Sequence, residues 1–112
     1  LSDKVLITDQ FEESTLKAMM MSASKFERGV EVKPHSWGDE ASCREELGGA
    51  GAHDIGIASD CIYYPDAHSL LLESASVLIK KGGHLVVGFS LHGNCPESDT
   101  LGFFELATKM GW

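Results

Sequence analysis

An open α/β domain, with a parallel sheet covered by helices on both faces, is the fold class that this 112-residue sequence predicts. Three observations predict it. Four short apolar runs, Lys4 to Thr8, Val30 to Lys33, Ile55 to Ala58 and His84 to Phe89, are too brief for helices and read as strands. Segments with helical spacing separate them, so the chain alternates strand and helix four times. The best of these runs are continuously apolar rather than alternating, as strands buried on both faces are.

Each element has its own warrant. Lys4 to Thr8 is a short apolar strand. Glu12 to Phe26 then carries helical spacing through Leu16, Met19, Met20 and Ala23, with Glu12 and Glu13 complementing the helix dipole. Gly29 ends that unit, and Val30 to Lys33 alternates toward Pro34 as a second strand. Glu40 to Leu47 predicts a short helix, and Gly48-Gly49-Ala50-Gly51 a flexible connection into the strand at Ile55. Pro65 can open the next helix, whose buried stripe is Leu70, Leu71, Ala75, Leu78 and Ile79. Lys80 and Lys81 suit its C-terminal end, and Gly82-Gly83 suits the turn into His84 to Phe89. Ser98 or Asp99 can cap a last helix that reaches Met110 and stops at Gly111.

Composition narrows the function. One domain, residues 1–112, is the ceiling, and a chain of this size buries about two thirds of its unfolded surface. Nine basic against 17 acidic residues give a net charge of −8. That balance argues against an extended nucleic-acid or anionic-membrane surface, which needs clustered Lys and Arg. Cys43, Cys61 and Cys95 are odd in number and form no CxxC pair, so reduced thiols in a cytoplasmic or nuclear compartment are the plain reading. The five histidines are scattered, and no Cys/His spacing matches a metal site. Gly49-Ala50-Gly51 precedes a strand rather than following one, so it reads as a hinge and not as a phosphate loop.

The candidate site lies at strand ends. Ligands of open α/β sheets bind at the carboxyl ends of the strands. Asp9 closes the first run, Ser36-Trp37-Gly38-Asp39 follows the second, and Ser59-Asp60-Cys61-Ile62-Tyr63-Tyr64 closes the third. Each residue also has a structural reading. Asp9 can start the following helix or accept hydrogen bonds from a ribose hydroxyl pair. Trp37 can be core or a stacking surface for a base. Asp60 can cap the helix near Pro65, and the two tyrosines can pack beneath it.

In order and spacing these segments resemble the seven-β-strand lysine methyltransferases that carry a DxxY motif, a group with the older label nicotinamide N-methyltransferase-like. The resemblance runs from that family's second strand to the helix after its fifth. It implies a partial Rossmann-like class I fold and S-adenosylmethionine as methyl donor. Asp9 is then the ribose ligand, Trp37 lies against adenine, and Ser59 lines the cofactor pocket by its backbone. Asp60 and Tyr63 become the catalytic rim that orients a lysine nucleophile. It further implies a protein substrate, with chaperones and translation factors among those of relatives.

The sequence also departs from the family pattern. The first strand with its glycine loop, and the last two strands, have no counterpart here. Ser90-Leu91-His92-Gly93-Asn94 replaces a more basic segment of many relatives. The expectation is therefore a family domain that does not methylate as an isolated chain, and that self-associates or takes up a complementing segment. Two other classes stay open at this point. A phosphoacceptor receiver would use Asp9, Asp60 and Ser90, although Asp9 lacks an acidic neighbour to hold magnesium. A non-catalytic remnant of the fold would only bind a partner.

Overall fold

The computed structural model describes residues 4–26 and 29–112. The order of elements is β1 (Val5–Asp9), α1 (Glu13–Ala23), β2 (Val30–Pro34), α2 (Glu40–Glu45), β3 (His53–Ser59), a 3-10 turn (Pro65–Ala67), α3 (His68–Leu78), β4 (Ile79–Gly88) and α4 (Glu97–Lys109). The strand–helix alternation is as the sequence predicts.

Among the described residues all strand pairing is parallel, but it makes two sheets rather than one. β1 pairs with β2 in the register Val5 to Val30 through Asp9 to Pro34. β3 pairs with β4, with Ile55 opposite His84 and Ser59 opposite Gly88. Among the described residues no ladder joins the two pairs. The parallel strands of the sequence reading thus form two separate pairs, and among the described residues nothing bridges them.

The expectation of cover on both faces also needs correction. Gly56, Ala58, Leu85 and Val87 share one face of the β3–β4 sheet through their register. There Ala58, Leu85 and Val87 meet Ile62, Leu71, Leu72 and Phe103, the core of the molecule. The opposite face carries Ile55, Ile57 and Val86, which are 58%, 78% and 53% exposed. The cause is topological: α3 and α4 pack against each other and the 3-10 turn on one side, while α1 packs on β2.

Local chemistry explains the remaining boundaries. Glu12 stands outside α1 as its N-cap, its carboxylate accepting from Thr15 N–H at 3.1 Å and from the Ser14 and Thr15 hydroxyls. Asp39 caps α2 by accepting from Ser42 N–H at 3.1 Å, and that helix ends at Glu45, before the buried Leu47. α3 stops at Leu78, so Lys80 and Lys81 are not its last turn. They lie with Gly82 and Gly83 in a bulge of β4, between Ile79 opposite His53 and His84 opposite Ile55. Gly82 takes φ +78 there, and Lys80 pairs with Asp54. α4 begins after Pro96 without a side-chain cap, so neither Ser98 nor Asp99 serves as one. Its end follows the sequence reading closely. Gly111, at φ +96, donates to Thr108 O and Trp112 N–H donates to Ala107 O, both within 3.1 Å. That is the Schellman arrangement that a C-terminal glycine permits.

Candidate functional site

The tips of β3 and β4 lie side by side, and the chain beyond each carries polar groups. Asp60 directly follows β3 with φ +53, a left-handed backbone that few non-glycine residues adopt and that aspartate tolerates better than most. Its N–H donates to Gly88 O at 2.7 Å, which closes the ladder. Its carboxylate Oδ1 then accepts from His92 Nε2 at 2.9 Å and from the Ser90 hydroxyl at 3.5 Å. These bonds, the His92 contact foremost, hold the Asp60 carboxyl below the usual carboxylate range. Asp60 does not cap the following helix. The 3-10 turn begins after Tyr64 with no side-chain cap.

Ile62 anchors the segment between the acid and the phenol. It is fully buried, and its carbonyl accepts from His68 Nε2 at 2.8 Å. His68 is itself buried and meets Phe103 edge-on, with ring centroids 5.3 Å apart. Tyr63 is left facing out and lies over the imidazole of His92, with centroids 4.5 Å apart and planes at 31°. Asp60, Tyr63 and His92 thus form one cluster. Tyr64 stays exposed beside it.

The other candidate residues stand on the first sheet and its loop. Asp9 ends β1 as an exposed residue whose Oδ1 accepts from Gln10 N–H at 2.7 Å. Trp37 is half-buried against the core that contains Ala58, Ile62 and Phe103. Its loop is tied down from behind. Gly38 N–H donates to Ser74 Oγ at 2.9 Å, and the same hydroxyl bonds His35 Nε2 at 2.9 Å. His35 Nδ1 reaches Ser42 Oγ at 3.2 Å. Burial pushes the His35 imidazole below its usual value, against the opposing charges of Asp39 and Glu46. Gly38 has φ +87, and a Cβ there would stand 2.7 Å from Leu70 Cδ2.

Cys61 directly follows Asp60. Burial raises the Cys61 thiol first, and the charges of Asp60 and Asp9 raise it further. Ser59 sits between the two acids in sequence order as an exposed strand end whose carbonyl accepts from Cys61 Sγ at 3.2 Å. A cleft of about 420 Å3, lined by Gly38, Glu73, Ser74, Val77 and Met110 among others, includes none of Asp9, Trp37, Ser59, Asp60 or Tyr63. Among the described residues no group of three or more His, Cys, Asp or Glu side chains could hold a metal ion, and no helix is long and apolar enough to cross a membrane.

Three histidines escaped the sequence reading, which took them as scattered. His35 and His68 are structural pins. His92 touches both residues of the DxxY pair. A signal for it did exist: residues just beyond two neighbouring parallel strands must meet, and His92 lies four residues past Gly88, where β4 ends.

Fold and strand-end cluster together define a parallel α/β protein with a cluster of polar side chains at the carboxyl ends of two strands. The sequence model of a lysine methyltransferase family matches residues 2–109, nearly the whole chain. The chain belongs to that family. Over 78 residues, 70% of this chain, it is 32% identical to a protein of Yarrowia lipolytica (strain CLIB 122 / E 150) named protein N-terminal and lysine N-methyltransferase EFM7. That alignment spans 29% of the relative's own length.

Proposed function

We propose that this chain is the nucleoside-binding and acceptor-orienting part of an S-adenosylmethionine-dependent methyltransferase of Rossmann-like class I fold, acting on lysine side chains of a protein substrate. The family match over residues 2–109 carries the reading, and the arrangement of the candidate residues supports it. Asp9 spends one carboxylate oxygen on Gln10, which leaves acceptor capacity for a ribose hydroxyl pair. Trp37, braced from behind by the core, offers a ring for adenine, and Ser59 offers backbone at the strand tip. The residues fit the nucleoside end of the methyl donor.

When bound, S-adenosylmethionine supplies a methyl group made electrophilic by its sulfonium. The chain's own contribution is position and charge. Ionised Asp60 attracts a cationic lysine to the rim, and Tyr63 narrows the rim around the amine. Alignment of nucleophile and methyl group is worth several orders of magnitude in rate, and misplacement by about 1 Å costs roughly a hundredfold.

The two separate sheets support a further part of the proposal: transfer needs a segment that bridges them. The chain exposes 7732 Å2, where a compact protein of its mass exposes about 6,000 Å2. The test is methyl transfer from labelled S-adenosylmethionine to proteins of a cell lysate. It is run with the isolated 112-residue chain and with the protein expressed from its complete coding sequence. Transfer by the latter, lost in Asp60→Ala and absent from the isolated chain, is the expected result. Transfer that survives Asp60→Ala and Tyr63→Phe sinks the site assignment. Robust transfer by the isolated chain sinks the need for a bridge.

A further inference from the structure

His92 is a polar residue with an unused face. Its Nε2 lies 2.9 Å from Asp60 Oδ1. A carboxylate only accepts, so Nε2 carries the hydrogen and the neutral ring keeps its lone pair on Nδ1. No hydrogen bond to Nδ1 occurs among the described residues. The imidazole side chain is 32% exposed and the Asp60 carboxylate 52% exposed, so an incoming group can reach the pair. Tyr63 covers one ring face at 4.5 Å, and Asp60 is itself fixed by its left-handed backbone and the Gly88 bond. A carboxylate that orients an imidazole and leaves its second nitrogen basic is the arrangement of a general base. Asp60 and Tyr63 are the ionisable groups in contact with the ring, on the segment after β3, and Ser90 adds a neutral hydroxyl from the segment after β4.

We infer that His92 is a catalytic residue that takes the proton from the acceptor lysine, with Asp60 as the group that orients it. The inference rests on the lysine methyltransferase reading above. A lysine ammonium has no lone pair and cannot attack. One of its N–H bonds breaks, the electron pair stays on the lysine nitrogen, and the proton passes to His92 Nδ1. The resulting imidazolium is stabilised by Asp60 through Nε2–H, and it later loses the proton from Nδ1 to solvent. The lysine leaves this step as a neutral amine ready to accept a methyl group.

Two measurements test it. Nitrogen-15 NMR of the chain labelled at histidine, recorded at alkaline pH, should show His92 in the Nε2–H form. A proton on Nδ1 would overturn the inference, because the free nitrogen would then be a donor. The second measurement uses the protein expressed from its complete coding sequence, with His92→Gln and His92→Ala variants. Expected is a fall in kcat of about a hundredfold with the affinity for S-adenosylmethionine kept. Added imidazole should restore part of the rate in His92→Ala. The deficit should also shrink for an acceptor peptide whose lysine is replaced by the less basic aminoethylcysteine. Wild-type rate in His92→Gln, or a deficit that neither imidazole nor the less basic acceptor changes, overturns the role of His92 and leaves the methyltransferase reading standing. A wild-type protein that transfers to no lysine overturns both.

Discussion

At the scale of single residues, the molecule separates groups that build the site from groups that hold it. Asp9 belongs to the first kind. If it binds a ribose, Asp9→Ala leaves a hydroxyl pair without its acceptor and weakens S-adenosylmethionine by about 1–3 kcal/mol. Calorimetry on the protein from its complete coding sequence, with Trp37→Ala beside it, checks this. Unchanged affinity in both variants refutes the cofactor assignment. His35 belongs to the second kind. It is 6% exposed and bonded at both ring nitrogens to serine hydroxyls, and burial holds its pKa down against Asp39 and Glu46. The unfolded chain binds this proton at about pH 6.5 and the folded chain only at lower pH. Between those points the unfolded state holds more protons, so stability falls as pH drops below about 6.5. Urea midpoints from pH 8 to pH 5 should show that loss, and His35→Gln should flatten it. Equal slopes in both proteins would remove His35 as the cause.

Among elements, the junction between β3 and α3 matters most. Ser59 ends a strand, Asp60 turns left-handed, Ile62 plugs into the core, and only then does the chain begin to coil. Ile62 therefore ties the position of Asp60 and Tyr63 to the packing of Leu71, Leu72 and Phe103. Ile62→Ala should cost about 2–5 kcal/mol through the cavity it leaves, read as a lowered urea midpoint. It should also loosen the Tyr63–His92 contact, visible as a shift of the His92 ring resonances. A large stability loss with unmoved His92 resonances would separate the core from the site. The Trp37 loop has a comparable pin in Gly38. Gly38→Ala adds both a strained φ and a contact of 2.7 Å with Leu70, so its cost should exceed that of an ordinary surface substitution.

At the scale of the whole molecule, the open architecture is the dominant feature. Two two-stranded sheets leave strand edges unpaired among the described residues, and Ile55, Ile57 and Val86 present an uncovered apolar face. The radius of gyration is 14.4 Å, above the roughly 13 Å of a compact domain of this length. Open edges and apolar faces recruit partners. The isolated chain should therefore self-associate, and Ile57→Lys should weaken that association without disturbing the core face. Sedimentation equilibrium decides it. A strict monomer at every concentration would show that the exposed face is tolerated as it stands.

The sequence by itself determined the order of strands and helices, their parallel sense and the strand-tip location of the candidate site. Those features rest on local rules: apolar runs of strand length, helical spacing between them, and acids where the runs stop. It also carried the family, through Asp9, Trp37 and the Asp60–Tyr63 pair. Only the tertiary structure decided which faces are covered, because that depends on where α3 and α4 settle and not on the apolar content of β3. Lys80 and Lys81 show the limit at the level of elements. Their charge suits a helix end, but opposite Asp54 they enter a bulge in β4 instead. His92 shows it at the level of the site. Its place past a strand end marks Ser90 to Asn94 as a segment, but which of its side chains meets Asp60 is decided only when β4 aligns with β3 and sets that imidazole 2.9 Å from Asp60. A contact between residues 32 positions apart is made by strand register, and register is settled by packing of the whole chain.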